Sequence, residues 1–226
     1  MIDYRKLRLN NLNSPQFRHL YLLLFWAVFG VFFLAVERLI PRTYHPVWCQ
    51  LDDLIPFCEW FFIPYMFWFV FLVGMLAYTL FFDVPAFKRM MYFVMITYGV
   101  TMIVYLVYPT CQELRPTEFP RDNFLTRFAA WFYAFDTNTN VCPSLHCVGS
   151  LAVAFAAWDT KRFSSRGWKA AFMGMAVLIS VSTVFVKQHS VIDVMWAYVL
   201  CFGAYALVYK LPKKGTEEAW SAPETI

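Results

Sequence analysis

Trp60 to Phe82 reads WFFIPYMFWFVFLVGMLAYTLFF, without one charged side chain. A run of about 20 mostly apolar residues crosses a bilayer as a helix, so this stretch by itself predicts a membrane span. Five more such stretches occupy residues 19–38, 90–108, 143–158, 168–186 and 190–209. The one opening at Pro143 is short and holds Ser144 and His146, so hydropathy marks it least clearly. The chain is 60% hydrophobic and 15% charged, whereas soluble domains carry about a quarter charged residues. The expectation is an all-α, single-domain bundle (1–226) of six transmembrane helices. No cleavable leader is expected, because the first eighteen residues are polar and the first span has no small-residue cleavage site.

Basic residues orient the bundle. With both termini cytoplasmic, thirteen of the nineteen Lys and Arg fall inside: Arg5, Lys6, Arg8, Arg18, Lys88, Arg89, Lys161, Arg162, Arg166, Lys169, Lys210, Lys213 and Lys214. Arg38, Arg42, Arg115, Arg121, Arg127 and Lys187 stay outside, as the positive-inside rule requires. The net charge of +4 then reflects membrane anchoring and gives no reason to expect a nucleic-acid partner.

Two polar islands interrupt the apolar pattern. One is Pro143-Ser144-Leu145-His146, and the other is Lys187-Gln188-His189 with Asp193. Ionisable groups at a membrane boundary are costly and mark functional sites. His189 and Asp193 stand one helical turn apart on the same face. Asp193 can accept a hydrogen bond from one ring nitrogen, which leaves the other free to attack or to take a proton. The plainer alternative is a capping Asp193 beside an interfacial histidine. In the first island, Pro143 suits the first turn of a helix. Ser144 and the free N–H groups there make an anion site, or else an ordinary cap with a packed histidine. A third island, Tyr108-Pro109 through Arg115-Pro116, adds an arginine able to fork phosphate oxygens. An exposed arginine is equally an ordinary solvated charge.

The remaining features are less specific. Residues 1–18 read as an interfacial lead-in, 39–58 as a loop carrying Pro41, Pro46 and Asp52-Asp53, and Asp83-Val84-Pro85 as a turn before Lys88-Arg89. The longest polar stretch is 109–142, and its Trp131-Phe132-Tyr133-Ala134-Phe135 run suits an aromatic belt or a lipid approach. The tail after Lys214 is expected to be disordered. Cys49, Cys58, Cys111 and Cys142 fall in outer segments, where a disulfide is allowed but its connectivity stays open. Cys142, His146 and Cys147 are close in sequence, yet no C-x-x-C pair supports a metal, and none is expected.

Together the islands resemble the type 2 phosphatidic acid phosphatase superfamily, with its pattern K-x6-R-P, P-S-x-H and S-R-x5-H-x3-D. Arg115-Pro116 matches the first block, Pro143, Ser144 and His146 the second, and Ser182, His189 and Asp193 the third. Tyr108 stands where the first block has lysine and Thr183 where the third has arginine, so two phosphate-binding cations are missing. Lys187 is the nearby candidate to replace one. The Lys187-Gln188-His189 variant looks similar to the branch of inositol phosphorylceramide synthase-like proteins.

The resemblance implies a membrane enzyme that hydrolyses a lipid phosphate at the outer face without cofactor or metal. In that scheme His189 is the nucleophile, Asp193 orients it and His146 is the general acid and base. Arg115, Ser144 and Lys187 would hold phosphate. Head-group transfer to an acceptor is the alternative within the family. A transporter or proton relay, or a bis-histidine haem protein, would use the same residues differently. The sequence names neither the lipid nor the oligomeric state.

Overall fold

The computed structural model describes residues 2–39 and 43–211. Pro41, Arg42, Lys213, Lys214 and the tail lie outside the described residues. The fold is mostly helical: α1 (Leu24–Arg38), α2 (Gln50–Leu54), α3 (Phe62–Phe82), α4 (Val84–Val107), α5 (Phe124–Phe135), α6 (Leu145–Asp159), α7 (Arg166–Phe185) and α8 (Val191–Tyr205). Two-residue strands β1 (His45–Pro46) and β2 (Thr110–Cys111) pair in parallel and tie two loops together at one end of the bundle. Five helical segments are long and apolar enough to cross a membrane: Arg18–Arg38, Glu59–Phe82, Val84–Val107, Arg166–Phe185 and Val191–Lys210.

The chain from Pro143 forms α6, whose 15 residues extend about 22 Å, short of the roughly 30 Å of a hydrocarbon core. It lies at the centre of the bundle. It packs against α3, α4, α7 and α8, and every residue from Cys147 to Ala157 is buried. Gly149, Ser150, Ala152, Ala154, Ala156 and Ala157 keep its girth small, which allows neighbouring helices to approach closely.

Three regions that the sequence describes only coarsely take definite form. Asp83-Val84-Pro85 is not an extended turn: Asp83 alone separates α3 from α4, and its carboxylate caps the Ala86 N–H at 3.2 Å. Pro85 fits the first turn of α4 because it has no N–H to satisfy. Lys88 and Arg89 therefore ride on α4, where Arg89 pairs with Asp159 of α6 at 2.6 Å. The N-terminal segment docks on the bundle, with Phe17 buried and the Tyr4 hydroxyl donating to the Leu80 carbonyl at 2.7 Å. The run at 131–135 divides by face. Trp131 and Phe135 are exposed, whereas Phe132 is buried and Tyr133 turns toward the third island.

The end of α1, the start of α3, the end of α4, the start of α6, the end of α7 and the start of α8 share one end of the bundle with α2 and α5. All three polar islands lie at that end.

Candidate active site

The chain between α7 and α8 is bent by one residue. Lys187 takes a left-handed backbone (φ 53°), and the N–H groups of Gln188 and His189 both fold back onto the Thr183 carbonyl, at 3.0 and 3.2 Å. This ends α7 as a left-handed capping residue usually does, although glycine is the commoner choice. Ser190 then caps α8, and the Asp193 carboxylate returns to the Ser190 N–H at 2.9 Å in a capping box. The same oxygen, Oδ2, lies 3.3 Å from His189 Nδ1. Capping and histidine contact, separate readings of the sequence, are thus made by one carboxylate. Asp193 is completely buried and its Oδ1 has no hydrogen-bond partner.

The first island meets this turn across the bundle. The Ser144 N–H donates to the Asp193 carbonyl at 3.2 Å, which holds the start of α6 against the start of α8. Ser144 is the N-cap and Leu145 the first helical residue, so Pro143 precedes the helix instead of opening it. The Pro143 carbonyl accepts the Tyr105 hydroxyl at 2.8 Å, and Cys142-Pro143 is a cis peptide. The Ser144 hydroxyl oxygen accepts the Cys147 N–H at 3.5 Å, leaving its own hydrogen to donate elsewhere. On the first turn of α6, the His146 ring lies edge-to-face with that of His189, centroids 5.8 Å apart. Its Nε2 is buried without a partner.

Arg115 reaches the same region from the β2–α5 loop. Its Nε and Nη2 both donate to Gln188 Oε1, at 3.1 and 2.5 Å, while Nη1 and Nη2 donate to the carbonyls of Tyr133 and Thr137. The guanidinium also lies 4.6 Å over the Tyr133 ring. Gln188 Nε2 in turn donates to Asp136 at 3.0 Å. Burial pushes the Asp136 carboxyl above its ordinary pKa, against the pull of Arg115 and His189. Burial likewise lowers the Arg115 guanidinium, with Asp136 opposing.

Lys187 is placed differently from its sequence-based role. Its ammonium donates to the carbonyls of Asp52 (2.7 Å) and Ile55 (2.5 Å), and not toward Arg115 or Ser144. The left-handed turn that separates α7 from α8 sends this side chain to the α2 segment. Asp52, read as an ordinary loop acid, locks that contact: its carboxylate accepts the Ser190 hydroxyl at 2.6 Å and the Val191 N–H at 2.8 Å. Tyr108, in the position of the missing first-block lysine, stacks on His45 with centroids 4.2 Å apart. Thr183, in the position of the missing arginine, is buried and donates to the Ser180 carbonyl.

Asp52, Asp136 and Gln188 carry no signal in sequence beyond polarity, because their partners lie more than 50 residues away. Tyr65 and Trp68, which flank His146, are hidden inside an apolar span. Among the described residues no group of three or more His, Cys, Asp or Glu is arranged to hold a metal ion, and the six cysteines are free thiols.

With this geometry the family match becomes decisive, for a model of the PAP2 superfamily matches residues 89–217. That is more than half of the chain, and it includes all three islands. The chain belongs to the PAP2 superfamily. No curated protein and no solved structure gives a significant match. PAP2 superfamily members are generally phosphatases or phosphotransferases of lipid-like substrates and need no metal. The five apolar helices make this member a multi-pass membrane protein.

Proposed function

We propose that this PAP2 protein is a lipid phosphate phosphatase working through a phosphorylated His189. The observation that carries the reading is the convergence of the two histidine rings, 5.8 Å apart, with Asp193 against Nδ1 of only one of them. With Nδ1 turned to Asp193, His189 presents Nε2 to phosphorus. The N–P bond forms as the P–O bond to the lipid alcohol breaks, and His146 gives the leaving oxygen its proton. His146 then takes a proton from water, whose oxygen attacks phosphorus and releases phosphate and free His189. Asp193 keeps the ring oriented and stabilises the imidazolium. Ser144 and the first N–H groups of α6 offer donors to the phosphoryl oxygens. Arg115 joins them when the substrate replaces Gln188 Oε1 on its fork.

The same proposal takes α6 as a sixth crossing, shielded by its neighbours, with both termini in the cytoplasm and the histidines at the outer face. Lys88, Arg89, Lys161, Arg162, Arg166, Lys169 and Lys210 gather at the bundle end opposite the histidines, as the positive-inside rule requires.

One observation favours transfer as the second reading. A cleft of about 530 Å³ is lined by Trp48, Asp52, Asp53, Glu113, Leu114 and Lys187, immediately before Arg115 and close to His189 in the chain. Pro46, Val47 and Ile55 make part of its wall apolar, while Asp52, Asp53, Glu113 and Lys187 offer polar groups to the hydroxyls of an acceptor or of a departing head group. Purified protein incubated with a panel of lipid phosphates, with and without alcohol acceptors, separates the two. Free phosphate supports hydrolysis, and a new phosphodiester supports transfer. If neither product forms, or if His189→Ala retains turnover, the reading fails.

A further inference from the structure

We propose that Tyr65 and Trp68 of α3 form an aromatic clamp that positions the His146 ring for proton transfer, and that Gly149 is the residue that admits Trp68. The proposal rests on the reading of His146 as general acid and base. The Tyr65 ring stacks on His146 with centroids 4.4 Å apart and planes 28° apart, and the Trp68 ring lies 4.6 Å away, tilted by 47°. His189 occupies a third side. Tyr65 and Trp68 are three residues apart, so both rings leave the same face of α3.

Tyr65 is itself held firmly. It is completely buried, edge-on to Phe62 at 5.8 Å and to Phe132 at 5.5 Å. His146 has no side-chain hydrogen bond to fix it, unlike His189 with Asp193. Packing alone sets its ring orientation, and the unpartnered Nε2 is left for a proton of the reaction. A histidine that must both give and take a proton gains from such a mount. A fixed hydrogen-bond partner on the other nitrogen would favour one tautomer, whereas aromatic faces orient the ring without that bias.

Gly149 lies one turn after His146 on the same face of α6. A Cβ there would sit 2.8 Å from Trp68 Nε1, 2.9 Å from Trp68 Cζ2 and 2.9 Å from the Tyr98 hydroxyl, closer than such contacts permit. At the other described glycines a Cβ would meet nothing within 4 Å. The glycine therefore serves close approach: it seats the indole where it reaches His146.

The test compares a lipid phosphate, whose alkoxide needs a proton to leave, with an aryl phosphate, whose phenolate does not. Variants Tyr65→Leu, Trp68→Leu, Trp68→Phe and Gly149→Ala are purified in detergent and checked by thermal unfolding, with His146→Ala as reference. Gly149→Ala adds a single methyl and keeps the chemistry of every ring, so it serves if the aliphatic variants do not fold. The expected result is a loss of lipid turnover about tenfold greater than that of aryl turnover in Tyr65→Leu, Trp68→Leu and Gly149→Ala, a part of the effect that general acid–base catalysis supplies. Trp68→Phe, which keeps a ring against His146, should hold the ratio nearer wild type. The phosphorylated enzyme should also accumulate in the three impaired variants, since His146 must activate water. Equal losses on both substrates, without accumulation, would make the aromatics ordinary core and overturn the clamp. If His146→Ala itself shows no substrate dependence, the failure lies with the role of His146 and the clamp falls with it.

Discussion

Replacing Asp193 by asparagine separates the two tasks of its carboxylate. The Ser190 N–H needs an acceptor at the Oδ2 position, so in Asp193→Asn the amide oxygen takes that place and the amide nitrogen that of Oδ1. The capping box survives, and the stability change should be about 0.5–1 kcal/mol, the scale of a weakened cap and a lost charge in the first turn. Catalysis loses far more. At 3.3 Å, with an effective dielectric of about 20, a carboxylate attracts an imidazolium by about 5 kcal/mol. That bounds the rate loss at roughly five-thousandfold, since each 1.36 kcal/mol is tenfold. Turnover of a lipid phosphate should thus fall by about a thousandfold, up to that bound, while the melting temperature shifts by only a few degrees. Asp193→Ala should lose similar activity and about 1 kcal/mol more stability, because it removes the cap as well. A folded Asp193→Asn protein with turnover within tenfold of wild type would refute the reasoning and leave Asp193 as a cap alone.

Three further outcomes are expected. His146→Ala should lose more turnover on a lipid phosphate than on an aryl phosphate and should retain a phosphorylated enzyme, read by radiolabel; equal losses would assign it a structural role. Lys187→Gln should leave the carbonyls of Asp52 and Ile55 short of a donor and cost about 1–3 kcal/mol in thermal unfolding, with little change in KM. A raised KM at unchanged stability would instead return Lys187 to phosphate binding. Burial pushes the Cys142 thiol up to about 12, with Asp193 adding to the shift. Its thiolate is thus about a thousandfold scarcer near pH 8 than for a thiol of pKa 9, and alkylation should reach Cys49 and Cys58 well before it. The raised pKa also stabilises the fold below about pH 9, a contribution lost as pH climbs toward about 12; labelling of Cys142 at the same rate as Cys49 would contradict this.

The sequence by itself determined the family of the protein and where its three polar islands lie. Apolar length is a local property, so five of the six expected spans appear as helices long and apolar enough to cross a membrane; the sixth, α6, is shorter and packs among its neighbours. The pairing of His189 with Asp193 is also local, but the capping turn makes it and not a helix face: His189 precedes the Ser190 cap, and Asp193 reaches back from the first turn of α8 to both. Tertiary structure decided what depends on partners far along the chain. It brought His146 to His189 and closed the Arg115 fork on Gln188. It turned Lys187 away to the carbonyls of α2, because a single left-handed residue ends α7 there. It also set the rings of Tyr65 and Trp68 against His146. In an apolar span every aromatic looks alike in sequence, and only the packing of α3 on α6 distinguishes a ring facing lipid from a ring that holds a histidine.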